Sequence, residues 1–183
     1  MMIIRDEELR DIVAREELLD AAFGLERHEK TCERLREGRE PAQGLSFIAE
    51  AGGEIIGTVR LWNIKAGERD ALLLGPIAVA SSHRSLGIGA RMIRAALNRA
   101  ATLGHKAVIL VGDAPYYERF GFSASLVADL DLPGPVDRKR FLGLEIVHGS
   151  LSGCNGLITA PEDTRLLLSQ DDPALPQSLQ QAA

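Results

Sequence analysis

The sequence predicts an α/β fold in which one mixed sheet is flanked by helices. The runs "LSFIAE" and "EIIGTVRLWNI" are strand-like, and the "AGG" between them suits the tight turn of an antiparallel hairpin. Further along, an apolar strand, an amphipathic helix and a second apolar strand follow one another, as in a parallel βαβ unit. A sheet with both kinds of connection is mixed, and a chain of 183 residues is long enough to bury its core as one domain.

The N-terminal part is predicted to be mainly helical. A short strand over residues 2–5 is followed by a helix over 7–23, where apolar residues recur at helical spacing. A second helix is predicted over 26–36, and Gly38 lies just beyond its end.

The central part contains the βαβ-like unit. Its first strand, 71–80, is apolar on both faces, which predicts a position in the middle of the sheet. The helix over 88–103 ends at Gly104, and a buried strand over 106–112 follows. The segment "YYERF" after this strand is predicted to be a brief helix.

The C-terminal part has weaker patterns. Residues 129–139 are predicted to form a loop, and "FLGLEIVHG" and "NGLITA" a last pair of strands. We expect a single domain over 1–168. Residues 169–183 contain two prolines and few apolar side chains, which predicts a disordered tail.

Charge and hydropathy argue against several classes of partner. The net charge is −5 and acidic and basic residues are interleaved, so no basic stripe is present for a nucleic acid. The longest apolar run, 71–80, is well short of the roughly 20 residues of a membrane span. The N-terminus "MMIIRDEELRD" has charges where a signal peptide has its apolar core. We therefore expect a cytoplasmic protein without nucleic-acid or membrane partners.

The two cysteines give no indication of a metal site. Cys32 and Cys154 lie far apart and fit no Cys-x-x-Cys or Cys/His spacing. We expect no bound metal and no disulfide.

The segment "HRSLGIGA" is the strongest candidate for a binding site. Gly87 and Gly89 lie between a buried strand and a helix, whose first turn has unpaired N–H groups and the positive end of the helix dipole. Such a turn binds phosphate when side chains do not hold the anion away. A tight turn without a ligand is the alternative.

Two phosphate-binding motifs are excluded. A dinucleotide fingerprint would need glycine at the position of Met92, and a P-loop would need a Gly-Lys-Ser/Thr ending. The remaining pattern is Arg-x-x-Gly-x-Gly, which begins at Arg84.

This pattern resembles the Gln/Arg-x-x-Gly-x-Gly/Ala motif of the GCN5-related N-acetyltransferase superfamily. One helix and one strand later, "APYYERFGF" is similar to the Tyr-x-x-x-Gly-Phe segment of these enzymes. The segments "ERLREG…LSFIAEAGGEIIGTV" and "LLGPIAVASSHRSLGIGARMIRAAL" resemble the YhbS-like bacterial branch. The similarity extends over residues 30–125, approximately.

The resemblance implies the acyl-CoA N-acyltransferase fold, with a mostly antiparallel sheet that is splayed between the fourth and fifth strands. It also implies binding of acetyl-CoA. The pantetheine arm would bond to the backbone of Ile77, Ala78 and Val79. The pyrophosphate would be wrapped by the amides of Arg84, Ser85, Leu86, Gly87, Ile88, Gly89 and Ala90.

By the same resemblance, Tyr117 is the catalytic acid that protonates the departing sulfur. A phenol pKa of about 10 and a thiol pKa near 8.5 are close enough for proton transfer. The alternative is a half-buried tyrosine that covers the core. Tyr116 is expected to pack or to form a pocket wall, and Trp62 to lie either in the core or beside the acceptor.

The implied reaction is direct transfer of the acetyl group to a primary amine of a small molecule or protein in a ternary complex. The strand 71–80 has no carboxylate, so a base would act through water from Glu50, Glu54 or Glu68, or the amine would arrive neutral. The alternative function is a non-catalytic acyl-CoA-binding or regulatory module. The oligomeric state is open, with a homodimer as one option.

Overall fold

The computed structural model describes residues 1–161, and a mixed sheet forms the centre of this part of the chain. The strands are β1 (Met2–Asp6), β2 (Ser46–Ala51), β3 (Glu54–Ala66), β4 (Arg69–Val79), β5 (Ala107–Val111), β6 (Leu130–Asp131), β7 (Phe141–Glu145) and β8 (Gly156–Thr159). The helices are α1 (Ile12–Phe23), α2 (Ile88–Thr102) and α3 (Ala114–Glu118).

The strand order confirms the predicted mixed, mostly antiparallel sheet. It runs β1-β2-β3-β4-β5-β7, while β8 pairs with both β3 and β6 outside this path. The predicted hairpin is β2–β3, and the predicted βαβ unit is β4-α2-β5, whose two strands are parallel. The apolar strand β4 lies between β3 and β5, in the middle of the sheet as predicted.

Each face of the sheet is covered by its own apolar core, because side chains of a strand alternate between faces. Leu72 and Leu74 of β4 pack in the core that contains Met92 and Ile93 of α2. Leu73, the residue between them, packs in the core on the opposite face. Because fully buried apolar side chains pack on both faces of β4, this strand is a rigid support for the residues at its C-terminal end.

The second half of β4 separates from β5. Gly75 and Pro76 together lie opposite Arg60 of β3, so the β3–β4 register shifts by one residue at a bulge. Pairing with β5 is confined to Leu72 and Leu73, before the bulge. Bulges bend a strand, and within residues 1–161 β4 has no partner strand on its β5 side from the bulge to Val79. The predicted splay between the fourth and fifth strands is therefore confirmed.

The predicted helix over 26–36 is wrong. The chain forms two 3-10 segments, Leu25–Glu29 and Thr31–Leu35, separated by Lys30 in an extended conformation. Leu35 is the one fully apolar side chain of these segments that the core buries. A single apolar anchor gives too little packing to stabilise a regular α-helix.

The helix predicted over 7–23 is present as α1 but begins at Ile12, after a 3-10 turn. Its apolar residues do not form a buried face: Val13 is 69% exposed, and Leu19 is the buried apolar residue of the helix. Arg15 is buried instead and forms an ion pair with Glu7. The helix is thus held largely by charged contacts, which a hydrophobic pattern does not reveal.

The last two predicted strands form as β7 and β8 but do not pair with each other. β7 pairs with β5, and β8 pairs with β3 and β6. The apolar strand β5 needs a partner on the side away from β4, and β7 supplies it. The predicted loop 129–139 contains β6 and a 3-10 turn, Arg138–Arg140. The predicted domain end at 168 and the tail 169–183 lie outside the described residues.

Among residues 1–161, none of the helices combines the length and the apolar character that crossing a bilayer requires.

Candidate functional site

A cleft of about 780 Å³ opens where β4 and β5 diverge. One side is formed by the end of β4, the first turn of α2 and α3. The other side is formed by the 3-10 segments after α1 and by the chain that leads into β7. The residues predicted to bind cofactor or to act as the acid that line this cleft are Ile77, Ala78, Val79, Gly89 and Tyr117.

The unpaired edge of β4 offers backbone groups to the cleft. The N–H of Ala80 donates to the Ile56 carbonyl of β3 at 2.9 Å. Because bonding directions alternate in an antiparallel ladder, Ala78 also bonds towards β3, whereas Ile77 and Val79 face the open edge. An extended ligand could therefore pair with Ile77 and Val79, while Ala78 lines the cleft between them.

The turn between β4 and α2 presents a row of free backbone donors. Ser85 and Gly87 have positive φ angles of 63° and 75°. Within the described part of the chain, the N–H groups from Ser85 to Ala90 make no hydrogen bond. Consecutive free amides at the start of a 15-residue helix form a concave anion-binding site.

The predicted residues of this turn contribute in different ways. Arg84 and Leu86 are exposed at the rim of the turn. Ile88 is 5% exposed and anchors the turn in the core through its side chain, while its amide stays free. The anchoring fixes the amides in place before a ligand binds.

The two glycines of the motif are required for different reasons. Gly87 adopts the left-handed conformation with φ 75°, and a Cβ at this position would meet no atom within 4 Å, so its constraint is the backbone. At Gly89 the constraint is space. A Cβ there would lie 3.0 Å from the Tyr116 hydroxyl oxygen and 3.7 Å from Cγ2 of Val79.

Tyr117 lines the cleft from α3 and is 9% exposed. Its ring packs edge-on against Tyr116 and Phe122, at centroid distances of 5.1 and 5.8 Å. A Cβ at position 112 would overlap this ring, so Gly112 makes room for it. The Tyr117 hydroxyl has no hydrogen-bond partner among residues 1–161, which leaves it available to a ligand. Tyr116 is a wall of the cleft, as expected from the sequence.

Burial raises the pKa of Tyr117 to about 12, and Tyr116 adds to the rise while Arg140 opposes it. The phenol is therefore protonated throughout the neutral range. The sequence-based assumption of a pKa near 10 was too low, because it did not include the loss of solvent around the ring.

This raised pKa predicts a specific loss of stability at high pH. A phenol whose pKa is higher in the folded state stabilises the fold fully below about pH 10, and that contribution disappears as the pH rises to about 12. Wild type should lose on the order of 2 kcal/mol more unfolding free energy across this range than Tyr117→Phe. Urea denaturation of both proteins at several pH values measures the difference. Parallel curves would show that Tyr117 is not desolvated.

Acidic residues that the sequence did not single out also line the cleft. These are Glu29, Glu33, Asp113 and Asp137. The predicted bases Glu50, Glu54 and Glu68 do not line it, and Glu50 is bound to Arg5 on the far edge of the sheet. No sequence pattern connects segments so far apart, because only the fold brings them together.

Trp62 belongs to the core rather than to the cleft wall. It is 5% exposed, and its indole N–H donates to the Gly75 carbonyl at 2.7 Å. The bond fixes the position of Gly75, and therefore of the bulge of β4.

Of the cysteines, Cys32 lines the cleft and Cys154 is buried elsewhere, and both are free thiols. Residues 1–161 contain no group of three or more His, Cys, Asp or Glu side chains that could hold a metal ion.

The fold and the site together are typical of one class of transferase. In this chain a splayed strand, Gly89 of the glycine turn and a tyrosine border one cleft. Comparison with known proteins identifies the family. The chain belongs to the acetyltransferase (GNAT) family, whose model matches residues 8–122.

Several relatives support this assignment. The uncharacterized N-acetyltransferase YhbS of Escherichia coli K12 is 28% identical over 159 residues, which cover 86% of this chain and 95% of YhbS. A crystal structure of E. coli YhbS in complex with CoA has a TM-score of 0.75 at 26% identity, covering 87% of this chain and 89% of that one. A GNAT acetyltransferase from Brucella melitensis in complex with acetyl-CoA has a TM-score of 0.62 at 26% identity, covering 80% and 88%.

Proposed function

We propose that this protein transfers the acetyl group of acetyl-CoA to a primary amine of a small molecule or protein, by direct attack in a ternary complex. One observation carries the proposal: the open edge of β4, Gly89 of the glycine turn and Tyr117 all border one cleft, and the other free amides of the turn are next to Gly89 along the chain. Relatives that were solved with CoA and with acetyl-CoA support the same donor.

The donor would extend along the cleft from the turn to Tyr117. The amides from Ser85 to Ala90 bind the pyrophosphate, with Arg84 adding positive charge at the rim. The backbone of Ile77 and Val79 pairs with the pantetheine arm as if it were an added strand, next to Ala78. Acetyl-CoA itself supplies an activated thioester, so the enzyme does not need a nucleophile.

The chain contributes hydrogen bonds at the reacting centre. A free N–H at the open edge of β4 can donate to the acetyl oxygen as negative charge develops there. Tyr117 donates its O–H towards the sulfur as the C–S bond breaks. The N–C bond forms as the C–S bond breaks, the amine loses one proton to water and the released thiolate takes one from water, so the overall reaction is balanced without a redox partner.

The high pKa of Tyr117 defines its part in this reaction. Its pKa of about 12 keeps the phenol protonated, and full proton transfer to a thiolate with a pKa near 8.5 is unfavourable. Its main effect is then a strong hydrogen bond to the developing thiolate. With no carboxylate on the open edge of β4, the amine reacts neutral or loses its proton to water in the open cleft.

Thiol release from acetyl-CoA, followed with a panel of primary amines, tests this function. The expected result is thiol release that depends on the acceptor, together with formation of the N-acetyl product by mass spectrometry. Tight binding of acetyl-CoA without acceptor-dependent release would favour the non-catalytic acyl-CoA-binding or regulatory module instead.

Two further expectations belong to the proposal. A cytoplasmic location suits an enzyme that uses acetyl-CoA. A homodimer is supported by apolar side chains that α1 and its preceding turn leave exposed, since Leu9 is 87% and Val13 is 69% exposed.

A further inference from the structure

Arg36 stands out among the charged residues of the cleft, because it is largely removed from water. Its side chain is 11% exposed and lines the cleft from the end of the 3-10 segments after α1, against Gly75 of β4. One terminal nitrogen, Nη2, is 3.2 Å from the position that a Cβ on Gly75 would occupy. Gly75 therefore leaves the space that the guanidinium uses, directly at the bulge where β4 leaves β5.

Among the described residues, few groups accept hydrogen bonds from the Arg36 guanidinium. Within residues 1–161 its single hydrogen bond is a long one, 3.4 Å from Nη1 to Glu33. Nε is fully buried and has no hydrogen-bond partner in the part of the chain that the structure describes. Leaving buried donors of a charged group unpaired is costly, and burial lowers the pKa of Arg36 from its usual value. The unpaired donors of Arg36 are therefore available to an anion that enters the cleft.

Other cations of the cleft do not share this state. Arg27 is buried but is paired with both Glu16 and Asp20. Lys30 and Arg140 are exposed to solvent at the rim. The poorly compensated positive charge is thus localised at Arg36.

Arg36 lies near the place where the acceptor would have to react. Gly75 precedes Ile77 on β4 by two residues, so the guanidinium lies close to the open edge at which the acetyl group is proposed to bind. Arginine presents two parallel N–H donors that match a carboxylate. Glu33 accepts from Nη1 only at 3.4 Å, and no described residue pairs with the Nη2 donors, which can meet an incoming anion.

The cleft that Arg36 lines also has apolar walls. Leu74, Leu132 and Val136 are among its lining residues. Low polarity strengthens an ion pair inside it and excludes competing water.

We propose that the acceptor is an amino acid, whose carboxylate binds Arg36 while its amine points to the acetyl group. This inference rests on the proposed acetyl transfer, because it assigns the acceptor of the same site. It narrows the acceptor from any primary amine to a molecule that carries amine and carboxylate together.

Matched pairs of acceptors provide the test. The L-amino acids, β-alanine and γ-aminobutyrate are each compared with their primary amides, which keep the amine and lose the charge. Dipeptide amides that begin with Asp or Glu show whether an acidic peptide can substitute for a free amino acid. For the preferred acceptor, wild type should have a kcat/KM at least about tenfold above that of the amide. Equal rates for every pair would overturn the proposal without any variant.

Arg36→Gln should abolish this preference, and the change should be in the acceptor KM rather than in kcat. Arg36→Lys keeps a charge but not the paired donors, and should restore part of the preference. Arg10→Gln is the matched control, because Arg10 is 69% exposed and pairs only with Glu8 among the described residues. Unchanged discrimination in folded Arg36→Gln would contradict the role of Arg36.

A binding measurement tests carboxylate binding at Arg36 independently of acetyl transfer. Trp62 is the only tryptophan of the chain, and its indole donates a hydrogen bond to Gly75, next to Arg36. Its fluorescence should therefore change when a ligand binds at Arg36. N-acetyl amino acids, titrated in the presence of CoA, should bind wild type at least about tenfold tighter than N-acetyl amino acid amides. If no amine supports thiol release, acetyl transfer fails as the function, and this titration still decides whether Arg36 binds a carboxylate. Equal affinities for acid and amide would overturn that binding.

Discussion

Tyr117→Phe should lower kcat by at least about tenfold, while the KM for acetyl-CoA stays within about twofold of wild type. The substitution removes the hydroxyl and keeps the ring that packs against Tyr116 and Phe122. The hydroxyl has no partner among residues 1–161, so its removal breaks no bond within this part of the fold. The loss should therefore appear in the step in which the C–S bond breaks.

Steady-state kinetics with a saturating amine, together with acetyl-CoA binding by calorimetry, separate the two effects. Tyr116→Phe is the matched control, since it removes an identical hydroxyl from the neighbouring ring and should leave kcat within about threefold. The pH dependence adds a second criterion. Because the pKa of Tyr117 is raised to about 12, wild type and Tyr117→Phe should have rate profiles of the same shape between about pH 6 and about pH 10. An unaltered kcat in Tyr117→Phe would remove this residue from the mechanism.

Local sequence patterns were sufficient where packing follows a simple period. Helix α2 was predicted because its apolar residues recur every three to four positions, and Met92, Ile93 and Ala96 are indeed fully buried. Strand β4 is apolar on both faces because it lies between two cores. In both cases the residue pattern and the tertiary environment agree.

Patterns failed where charged contacts or distant pairing decide the structure. The segment 26–36, predicted as a helix, has only Leu35 to bury, so 3-10 segments form instead. Strands β7 and β8 were identified, but their partners were not, because pairing depends on which edges remain open elsewhere in the sheet.

One part of the candidate site could be predicted from the sequence and the other part could not. The part that we propose for the acetyl donor is a short contiguous motif from the end of β4 to α2, and a motif of this kind is visible in the sequence. The part that we propose for the acceptor combines Arg36, Gly75 and Val136, which are far apart along the chain. The charge of Arg36 becomes informative only once its burial and its missing partners are known.

Gly89→Val should weaken acetyl-CoA binding by at least about a hundredfold, equivalent to roughly 2.7 kcal/mol. The amide of Gly89 lies within the row of free donors, and the backbone there must approach the anion closely. A Cβ alone would already lie 3.0 Å from the Tyr116 hydroxyl oxygen, and the two methyl groups of valine have to fit beyond it. They would press against Tyr116 and Val79 and so displace the first turn of α2 together with its amides.

Calorimetric titration with CoA and acetyl-CoA measures the loss, and circular dichroism with thermal unfolding shows whether the fold is kept. Ala101→Val places the same side chain on the exposed side of α2, so it reports the general effect of valine on this helix and should bind normally. Gly89→Ala separates the causes further. It should weaken binding less than valine does, because its Cβ requires only that the Tyr116 hydroxyl shift by a few tenths of an ångström. A graded loss of affinity from alanine to valine, in variants that unfold at the wild-type temperature, would then come from the turn and not from general damage to the fold. Acetyl-CoA affinity within about threefold of wild type in folded Gly89→Val would show that the pyrophosphate does not bind at this turn.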